Sequence, residues 1–545
     1  MKGCRLSISH VNFSPTNLHF YAVFPLPFEE KLDTDSVTIF FLPTQCKCEC
    51  FSSACFISSS CFLIPLLICK FQVIVTKMEW SSGSHVTGSS PSNKQKVVKR
   101  QKTNEEGEGT LSKLPEPLIT HILSFLTTKD AVRTSVLSKK WIFRWTFISK
   151  LDLDDTVFYK RKSGGKMYFI NFVFRVLLLT KSPTLLSFSL VIANKYDVSI
   201  LNTWICNILI RSVRNLRIET HSKMPFSALA SHSLFNSKLL EELVLKMDSC
   251  AIRVTLAHVR FEHLKVLKLA GILFTLDFNH RCLTLGLPVL KVFETANCTW
   301  VNARRITLNA PLLESIIIVQ ETESMSYETP QCAILFSSSH LEQFIYRGCR
   351  YISYYFKLLH PSSARNASVV VNLNQLPKNR DQETEVRAFV LLKQFSQVKY
   401  LKFEGCEVFG QSRMANLPLF GMLIELELGL VSGEVLLGLL LKSPVLKTLL
   451  FKGVSKFNEE LLNSAAVPDC MISTLQVVNF HKLHGLEHEL CLAKFFMENG
   501  LVLERMSFSL VSQVLGRSKT IEEFKAKLFS YKKGFSFAIV EFSYD

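Results

Sequence analysis

The stretch Leu423-Ile-Glu-Leu-Glu-Leu428 decides the fold that this sequence predicts. Leucines stand at its first, fourth and sixth positions, and a glutamate precedes each of the last two leucines. This pattern is typical of a short strand that buries alternate side chains. The same design recurs through the middle of the chain, in Leu239-Leu-Glu-Glu-Leu-Val-Leu245, Leu264-Lys-Val-Leu-Lys-Leu269, Leu287-Pro-Val-Leu-Lys-Val-Phe293, Leu312-Leu-Glu-Ser-Ile-Ile-Ile318, Leu341-Glu-Gln-Phe-Ile-Tyr346, Val398-Lys-Tyr-Leu-Lys-Phe403 and Val445-Leu-Lys-Thr-Leu-Leu-Phe451.

The spacing of these stretches indicates a repeat architecture. Equivalent leucines such as Leu401, Leu426 and Leu449 recur with the ~20–29-residue period of leucine-rich repeats. One unit cannot bury its own apolar face, so neighbours must stack into a solenoid whose strands line the concave side. We therefore predict an irregular solenoid over residues 151–465, with its rhythm broken at His360-Pro-Ser-Ser-Ala-Arg-Asn366. The alternative, a doubly wound sheet, would need longer helices and a glycine-rich turn.

Residues 111–150 predict three short helices. Pro115 suits the first turn of a helix, where its missing N–H costs nothing. The first helix carries a single apolar stripe, formed by Leu118, Ile119, Ile122, Leu123 and Leu126. Thr127 or Thr128 can cap the second helix and Ser138 the third. The inward-facing residues of these two helices would be Val132, Val136, Trp141 and Trp145. A unit of this size buries little surface and usually completes its core against a partner.

Two stretches here carry a specific resemblance. Leu114-Pro-Glu-Pro-Leu-Ile-Thr-His-Ile-Leu-Ser-Phe-Leu126 and Thr128-Lys-Asp-Ala-Val-Arg-Thr-Ser-Val-Leu-Ser-Lys-Lys-Trp141, followed by Trp145, resemble the plant-type F-box nearly residue for residue. The resemblance implies binding to a Skp-type adaptor and, through it, to cullin and RING subunits. It places at or just behind the adaptor contact Leu114, Pro115, Leu118, Ile119, Ile122 and Trp141. The F-box core would contain Leu123, Leu126, Val132, Val136 and Trp145.

Each apolar F-box residue also has a simpler interpretation as core packing, which we favour for Leu123 and Val136. Lys139, Lys140 and Arg144 could meet an acidic adaptor surface or form a solvated helix face.

Residues 466–545 predict an α/β segment. Turn, strand, helix and strand are indicated in turn by Val467-Pro-Asp-Cys470, Leu475-Gln-Val-Val-Asn-Phe480, Leu492-Ala-Lys-Phe-Phe-Met-Glu-Asn-Gly500 and Leu503-Glu-Arg-Met-Ser-Phe508. Asn499-Gly500 would end the helix with a residue that tolerates left-handed geometry. This order resembles the FBD domain that closes many plant F-box/leucine-rich-repeat proteins, and it can cap a solenoid. The expected fold class is therefore α/β: a short three-helix F-box, an irregular leucine-rich-repeat solenoid and an FBD-like cap.

No catalytic, cofactor or metal site is predicted. His481, His484, His488 and Cys491 have a spacing that superficially suits a metal on a helix. Gly485 interrupts that helix, however, so we favour a polar turn that leads into an amphipathic helix. Gly164-Gly165-Lys166 lacks the flanking residues of a phosphate-binding loop, and no hydrolase nucleophile or zinc-protease motif occurs. We expect a non-catalytic protein without cofactors.

Composition and charge limit the function classes. With 48% hydrophobic and 20% charged residues, the chain of 545 residues is ordinary for a globular protein and is not mainly disordered. It carries 63 Lys and Arg against 46 Asp and Glu, a formal charge of +17. This charge has no single focus along the chain, so we expect no nucleic-acid partner.

Residues 1–77 differ from the rest of the chain. Their apolar run, Cys61–Cys69, is shorter than the ~20 residues of a membrane span. We interpret these residues as upstream sequence that a gene model has included, with Met78 as the working start. A membrane anchor and a metal-binding head are the alternatives, and no membrane partner is expected unless this extension is expressed.

Residues 78–110 form a polar stretch that predicts a mobile linker. Its Lys99, Arg100 and Lys102 are clustered like a nuclear-import signal, and the alternative is a solvated tail. We expect the protein in the nucleus and/or the cytoplasm.

The main hypothesis is a substrate-recognition subunit of an SCF-type (Skp–cullin–F-box) ubiquitin ligase, which docks the adaptor through the F-box and an unknown protein substrate through the repeats. The alternative is a binding protein that acts on nucleic acid or a small anionic ligand, independently of ubiquitylation. A membrane-tethered form would depend wholly on residues 1–77.

Overall fold

A computed structural model describes residues 115–137, 139, 141–158, 165–223, 234, 237–321, 332–349, 352, 354–374, 382–409, 416–455, 460–464, 466–510, 518–531 and 539–544. Several predictions concern residues outside this set. They are the extension 1–77, the linker 78–110 with Lys99, Arg100 and Lys102, and the individual residues Leu114, Ser138, Lys140 and Gly164.

Strands dominate the described part of the chain. They are β1 (Lys150–Asp154), β2 (Ser187–Ile192), β3 (Asn215–Lys223), β4 (Glu242–Val254), β5 (His258–Arg260), β6 (Val266–Leu276), β7 (Cys282–Gly286), β8 (Val292–Ala296), β9 (Thr299–Val301), β10 (Arg305–Asn309), β11 (Ser315–Gln320), β12 (Ala333–Ser337), β13 (Gln343–Cys349), β14 (Tyr355–Leu358), β15 (Ser368–Asn374), β16 (Tyr400–Glu404), β17 (Glu425–Val431), β18 (Thr448–Val454), β19 (Val477–Leu483), β20 (Arg505–Leu510) and β21 (Ile539–Tyr544).

The α-helices are α1 (Glu116–Ser124), α2 (Thr128–Arg133), α3 (Gly165–Leu179), α4 (Val198–Ile210), α5 (Gln382–Gln394), α6 (Gly433–Leu441), α7 (Glu460–Ser464), α8 (Asp469–Ser473), α9 (Glu487–Asn499) and α10 (Ser518–Tyr531). Short 3-10 helices cover Thr134–Val136, Arg144–Phe147, Asp155–Phe158, Pro361–Ala364 and Cys406–Val408. No helix within the described residues is both long enough and apolar enough to cross a membrane.

One long parallel sheet, the main sheet, runs through the whole solenoid. Its strand order is β1-β2-β3-β4-β6-β8-β11-β13-β15-β16-β17-β18-β19-β20-β21, with β9 beside the far end of β6. Leu401, Leu426 and Leu449 stand directly opposite one another on β16, β17 and β18, and all three are buried. The predicted stacking of equivalent leucines is therefore confirmed, and the α/β fold class with it.

A second parallel sheet backs the middle of the solenoid, which the sequence analysis did not predict. Its order is β14-β12-β10-β7-β5. The two sheets pack face to face, since Phe293 of β8 meets Phe336 of β12 with ring centroids 5.7 Å apart. In this region the segments that connect successive strands of the main sheet, such as Cys282-Leu-Thr-Leu-Gly286, bury alternate residues. They therefore form strands, whereas the corresponding segments of other repeats form helices.

Helices cover the back of the main sheet on either side of the second sheet. On the N-terminal side, Phe169 of α3 meets Trp204 of α4 edge to face, with centroids 5.9 Å apart. On the C-terminal side, Phe480 of β19 contacts Phe496 of α9, and Phe508 of β20 contacts Phe524 of α10. The core is thus one continuous layer, with the main sheet on one side and the helices or the second sheet on the other.

A left-handed residue bends the chain at successive repeats. Ser249 inside β4, Gly271 inside β6 and Asn297 between β8 and β9 have φ values of 58°, 63° and 50°. Beyond these bends the second half of β6 pairs with β4 on one side and with β9 on the other. A Cβ atom at Gly271 would overlap the Met247 carbonyl oxygen. Glycine is required there because both its left-handed backbone and the close approach exclude a side chain.

Polar side chains cover two edges of these sheets. The hydroxyl of Thr128 accepts a hydrogen bond from the Asp152 backbone N–H of edge strand β1 at 2.7 Å. The amide group of Gln394 accepts from Leu358 N–H and donates to the Phe356 carbonyl, both on edge strand β14. These bonds pair part of the backbone of each edge strand, which makes both edges poorer templates for pairing with another chain.

Candidate functional site

The first two F-box helices form where the sequence predicts them. The carbonyl of Pro115 accepts hydrogen bonds from Leu118 N–H and Ile119 N–H at 3.1 and 3.2 Å, which starts α1. Thr127 caps α2, since its hydroxyl oxygen accepts from Asp130 N–H at 3.3 Å. The Thr127 side chain thus satisfies one of the backbone donors that a helix start leaves unpaired.

The third predicted helix is instead a turn followed by the 3-10 helix Arg144–Phe147. Phe143 has φ −116° and ψ 9°, outside the α-helical region. The hydroxyl of Ser135 donates a hydrogen bond to the Ile142 carbonyl at 2.9 Å. Competition of this kind from side chains draws backbone groups away from a regular helix.

The F-box core is smaller than the sequence predicts. Ile119, Leu123, Trp141 and Trp145 are buried, and Val132 packs against them while partly exposed. Leu126 and Val136 are exposed, which corrects their assignment to the core. Leu126 lies beyond the end of α1. Val136 lies in a 3-10 segment, whose three residues per turn move it off the face that Val132 occupies.

Apolar side chains are exposed throughout the F-box. We call this set the F-box surface: Leu118, Ile122, Phe125, Leu126, Val136, Leu137, Ile142 and Phe143. Leu118 is 50% exposed, Phe125 75% and Val136 87%. So many large apolar side chains exposed within one short segment are typical of a surface that binds another protein.

The six predicted adaptor-contact residues differ in where the structure places them. Leu118 and Ile122 belong to the F-box surface, one helical turn apart. Ile119 and Trp141 are buried behind it, Pro115 starts α1, and Leu114 lies outside the described residues. The sequence pattern did not predict four other members of the F-box surface, Phe125, Leu137, Ile142 and Phe143. Their apolar side chains at the ends of the predicted helices could have indicated that they are exposed.

The basic residues of the F-box differ in their surroundings. Arg144 forms an ion pair with Glu116 at the start of α1, so it stabilises the F-box itself. Lys139 is exposed, and Lys140 lies outside the described residues.

A buried carboxylate joins the segment after the F-box to the solenoid. Asp155 is fully buried and accepts hydrogen bonds from Ala193 N–H at 2.8 Å, Asn194 N–H at 3.1 Å, the Asn194 side chain at 3.2 Å and Tyr196 hydroxyl at 3.1 Å. The Lys129 ammonium of α2 also donates to the Val157 carbonyl at 3.1 Å. The F-box surface is therefore held in a fixed relation to the main sheet.

The side of the main sheet opposite the core forms the second candidate surface, which we call the open face. Its central row runs across the strands from β1 to β21 as Asp152, Ser189, Arg217, Val244, Lys268, Glu294, Ile317, Ile345, Val370, Lys402, Glu427, Leu450, Asn479, Ser507 and Glu541. Three adjacent apolar residues, Ile317, Ile345 and Val370, occupy the middle of this row, and the charged pairs Lys268–Glu294 and Lys402–Glu427 flank them.

A charged cluster lies on the open face at β15 to β18. Glu404 accepts a hydrogen bond from the Asn372 amide at 2.8 Å and pairs with Lys452. Lys402 lies between Glu404 and Glu427 and pairs with both. Burial, followed by the charge of Glu427, raises the pKa of Tyr400 to about 12, so its hydroxyl stays protonated and donates to Glu427 at 3.3 Å.

The predicted histidine cluster shows no metal geometry. Within the described residues, no group of three His, Cys, Asp or Glu side chains is placed to hold a metal ion. His488 Nε2 lies 3.0 Å from the Val454 carbonyl oxygen. Near His484, the buried Glu489 accepts hydrogen bonds from the backbone N–H groups of His484 and Leu486. The carboxylate thus caps the start of α9.

Comparison with known proteins identifies two regions of the chain. A model of the F-box domain matches residues 111–146, and a model of the FBD matches residues 463–508. An F-box/FBD/LRR-repeat protein of Arabidopsis thaliana is 25% identical over 453 residues, which cover 81% of this chain and 95% of that protein. The chain therefore contains an F-box and an FBD, and over most of its length it is similar to an F-box/FBD/LRR-repeat protein.

Other Arabidopsis thaliana proteins show the same relationship. A putative F-box/FBD/LRR-repeat protein is 28% identical over 431 residues, covering 73% of this chain and 82% of its own length. An F-box/LRR-repeat protein is 32% identical over 240 residues, covering 41% of this chain and 45% of its own length. Neither of the matching family models is that of an enzyme.

The FBD of this F-box protein continues the solenoid. Its strands β19 and β20 pair in parallel register with β18 and with each other. Helix α9 ends at Asn499, as predicted, but Gly500 has φ −84° rather than a left-handed backbone. A Cβ atom at Gly500 would lie 2.6 Å from the Phe496 carbonyl oxygen, so glycine permits the close approach that ends this helix.

Proposed function

We propose that this F-box protein is the substrate-recognition subunit of an SCF-type ubiquitin ligase. It binds a Skp-type adaptor through the F-box surface and, through the adaptor, joins cullin and RING subunits. The single observation that supports this most strongly is the exposed apolar F-box surface, since Leu118, Phe125 and Val136 would otherwise remain in contact with water.

In this proposal the protein contributes position rather than chemistry. It holds a protein substrate on the open face while the F-box surface holds the adaptor. The hydrogen bonds of Asp155 to residues 193–196 keep the two surfaces in a fixed relation. Orientation of this kind raises the effective concentration of a substrate near a reactive partner without any catalytic group on the chain.

The charge distribution of the open face supports a protein substrate over nucleic acid. The basic residues of its central row, Arg217, Lys268 and Lys402, each pair with a glutamate. Nucleic acids are bound through basic stripes with unneutralised charge. We propose that the protein is located in the nucleus or the cytoplasm. Microscopy of the tagged full chain, compared with its Lys99→Ala/Arg100→Ala variant, tests this.

The test of the proposed function is adaptor binding by the full chain. We expect Leu118→Glu to weaken binding to a purified Skp-type adaptor at least tenfold, because it places a charge in an apolar contact. Ile210→Glu is the matched control, since Ile210 is 82% exposed at the end of α4. The readout is the dissociation constant from biolayer interferometry.

Two results would contradict the proposal: no binding of the adaptor by the wild-type chain, or equal binding by Leu118→Glu and Ile210→Glu. Circular dichroism of both variants checks that they fold.

A further inference from the structure

We propose that the open face recognises an amphipathic helical segment of the substrate, which carries an acidic residue beside its apolar stripe. The inference rests on the proposed function and adds the kind of segment that is bound. Its site is a set of apolar side chains that we call the apolar strip: Ile317, Ile345 and Val370, with Ala270, Ala296 and Val319 next to them.

The apolar strip is separate from the core. On the same strands the alternate residues Ile316, Phe344 and Val369 are the ones buried against the back of the solenoid. Ile317, Ile345 and Val370 point to the other side of the sheet and are half-buried. Because they are half-buried, they keep exposed apolar area that a partner would bury further.

The geometry of the strip suits a helix better than an extended chain. Ile317, Ile345 and Val370 stand directly opposite one another on three adjacent strands, which are ~4.8 Å apart. A helix presents one residue per turn of ~5.4 Å on a given side, whereas an extended peptide presents one every ~6.7 Å. A helix inclined by about 27° to the row matches the spacing of the strands.

Small residues leave room beside the strip. Ala270 and Ala296 stand opposite each other on β6 and β8, and Ala296 stands opposite Val319 on β11. These short side chains lower the surface on one side of Ile317, so the partner helix can lie against the sheet. Apolar anchors one turn apart, laid on an apolar groove, are the usual mode of helix recognition.

The charges around the strip define the polar part of the partner. On one side Lys268 pairs with Glu294 at 2.8 Å, and on the other Lys402 pairs with Glu427. Arg347 is exposed two residues along β13 from Ile345, and no ion pair or hydrogen bond of its side chain occurs within the described residues. It therefore offers a positive charge to an acidic side chain on the flank of the helix.

The test uses a displayed library of random 16-residue peptides, selected against the full chain bound to its adaptor. We expect enrichment of peptides with apolar residues at i, i+4 and i+8 and an acidic residue within one turn of the middle one. Ile345→Glu should weaken binding of the selected peptides at least tenfold. Ser189→Glu, in the same row on β2, is the matched control and should not change it. Arg347→Glu should shift the enrichment from acidic to basic residues.

Three outcomes would overturn the inference: enriched peptides with apolar residues at alternate positions, no enrichment relative to the Ile345→Glu complex, or equal binding to Ile345→Glu and Ser189→Glu. Adaptor binding by the same wild-type sample is measured separately. A wild-type chain that binds adaptor but selects no helical peptide contradicts this inference alone, whereas one that fails to bind adaptor contradicts the proposed function.

Discussion

The carboxylate of Asp155 accepts four hydrogen bonds from Ala193, Asn194 and Tyr196. Removal of the carboxylate leaves these buried donors unpaired. Each unpaired donor lowers the stability of the fold by ~1–3 kcal/mol when nothing replaces the acceptor. We expect Asp155→Ala to lower the free energy of unfolding by about 3 kcal/mol, measured by urea denaturation. The exposed Asp248→Ala is the control, and equal losses in both variants would show that the Asp155 contacts contribute little.

Burial also controls the reactivity of single cysteines. It raises the pKa of Cys298 to about 12 and that of Cys332 to about 12, so at pH 8 both thiols stay protonated and unreactive. Their thiolate fraction grows only as the pH approaches those values. Cys282 is exposed, and we expect iodoacetamide to modify it first.

Peptide mapping by mass spectrometry during a time course at pH 8 measures these rates. Urea should abolish the difference, because unfolding exposes all three thiols. Equal rates in the folded protein would contradict the burial of Cys298 and Cys332.

At the residue scale, the sequence predicts the burial of residues whose positions follow the period of an α-helix. Leu123 and Trp145 are buried because they lie where an apolar stripe and a following turn bring them together. The exposure of Val136 was not predictable from its spacing to Val132, because that spacing assumes an α-helix and the chain is a 3-10 helix there. The ion pair of Arg144 with Glu116 depends on tertiary structure that the sequence pattern does not encode.

Among the elements, the bend within β6 depends on Gly271. Its left-handed φ of 63° costs a residue with a side chain ~1–2 kcal/mol, and the overlap with the Met247 carbonyl adds to that cost. We expect Gly271→Ala to lower the free energy of unfolding by about 2–4 kcal/mol, and with it the midpoint of thermal unfolding.

Gly421→Ala is the control for this bend, because a Cβ atom at Gly421 meets no atom within 4 Å. Calorimetry of both variants measures the difference. A Gly271→Ala protein as stable as Gly421→Ala would mean that β4 and β6 bend without needing a glycine.

The strands of the main sheet were predictable and those of the second sheet were not. The L-x-x-L-x-L pattern marks the main strands, since their leucines repeat in register. The second-sheet strands, such as Arg305–Asn309, are short and alternate only a few apolar residues. A short apolar run does not distinguish a strand from a helical turn, and pairing with neighbouring repeats decides between them.

Over the whole molecule, the main sheet crosses from the repeats into the FBD without a break. Phe451, Phe480 and Phe508 stand in register on β18, β19 and β20, with neighbouring ring centroids 4.6 and 4.7 Å apart. We expect Phe480→Ala, which costs ~3–5 kcal/mol in a core, to speed amide hydrogen exchange in β18 as well as in β20.

Hydrogen-exchange mass spectrometry of the full chain measures this effect. Phe278→Ala is the control, because Phe278 is 73% exposed, and it should leave exchange in β18 to β20 unchanged. Faster exchange confined to the FBD strands would indicate that the FBD is energetically separate from the repeats.

The strand order of the main sheet also sets an order of folding. Each of its strands pairs with the next main-sheet strand along the chain, with β9 as a side branch, so no early strand waits for a distant one. In such a repeat array each unit contacts only its neighbours, and structure forms from the N-terminus as the chain leaves the ribosome. The F-box and the Asp155 contacts that follow it are both formed once residues 193–196 have emerged. In the proposed function, a nascent chain therefore binds its adaptor before the open face has been synthesised.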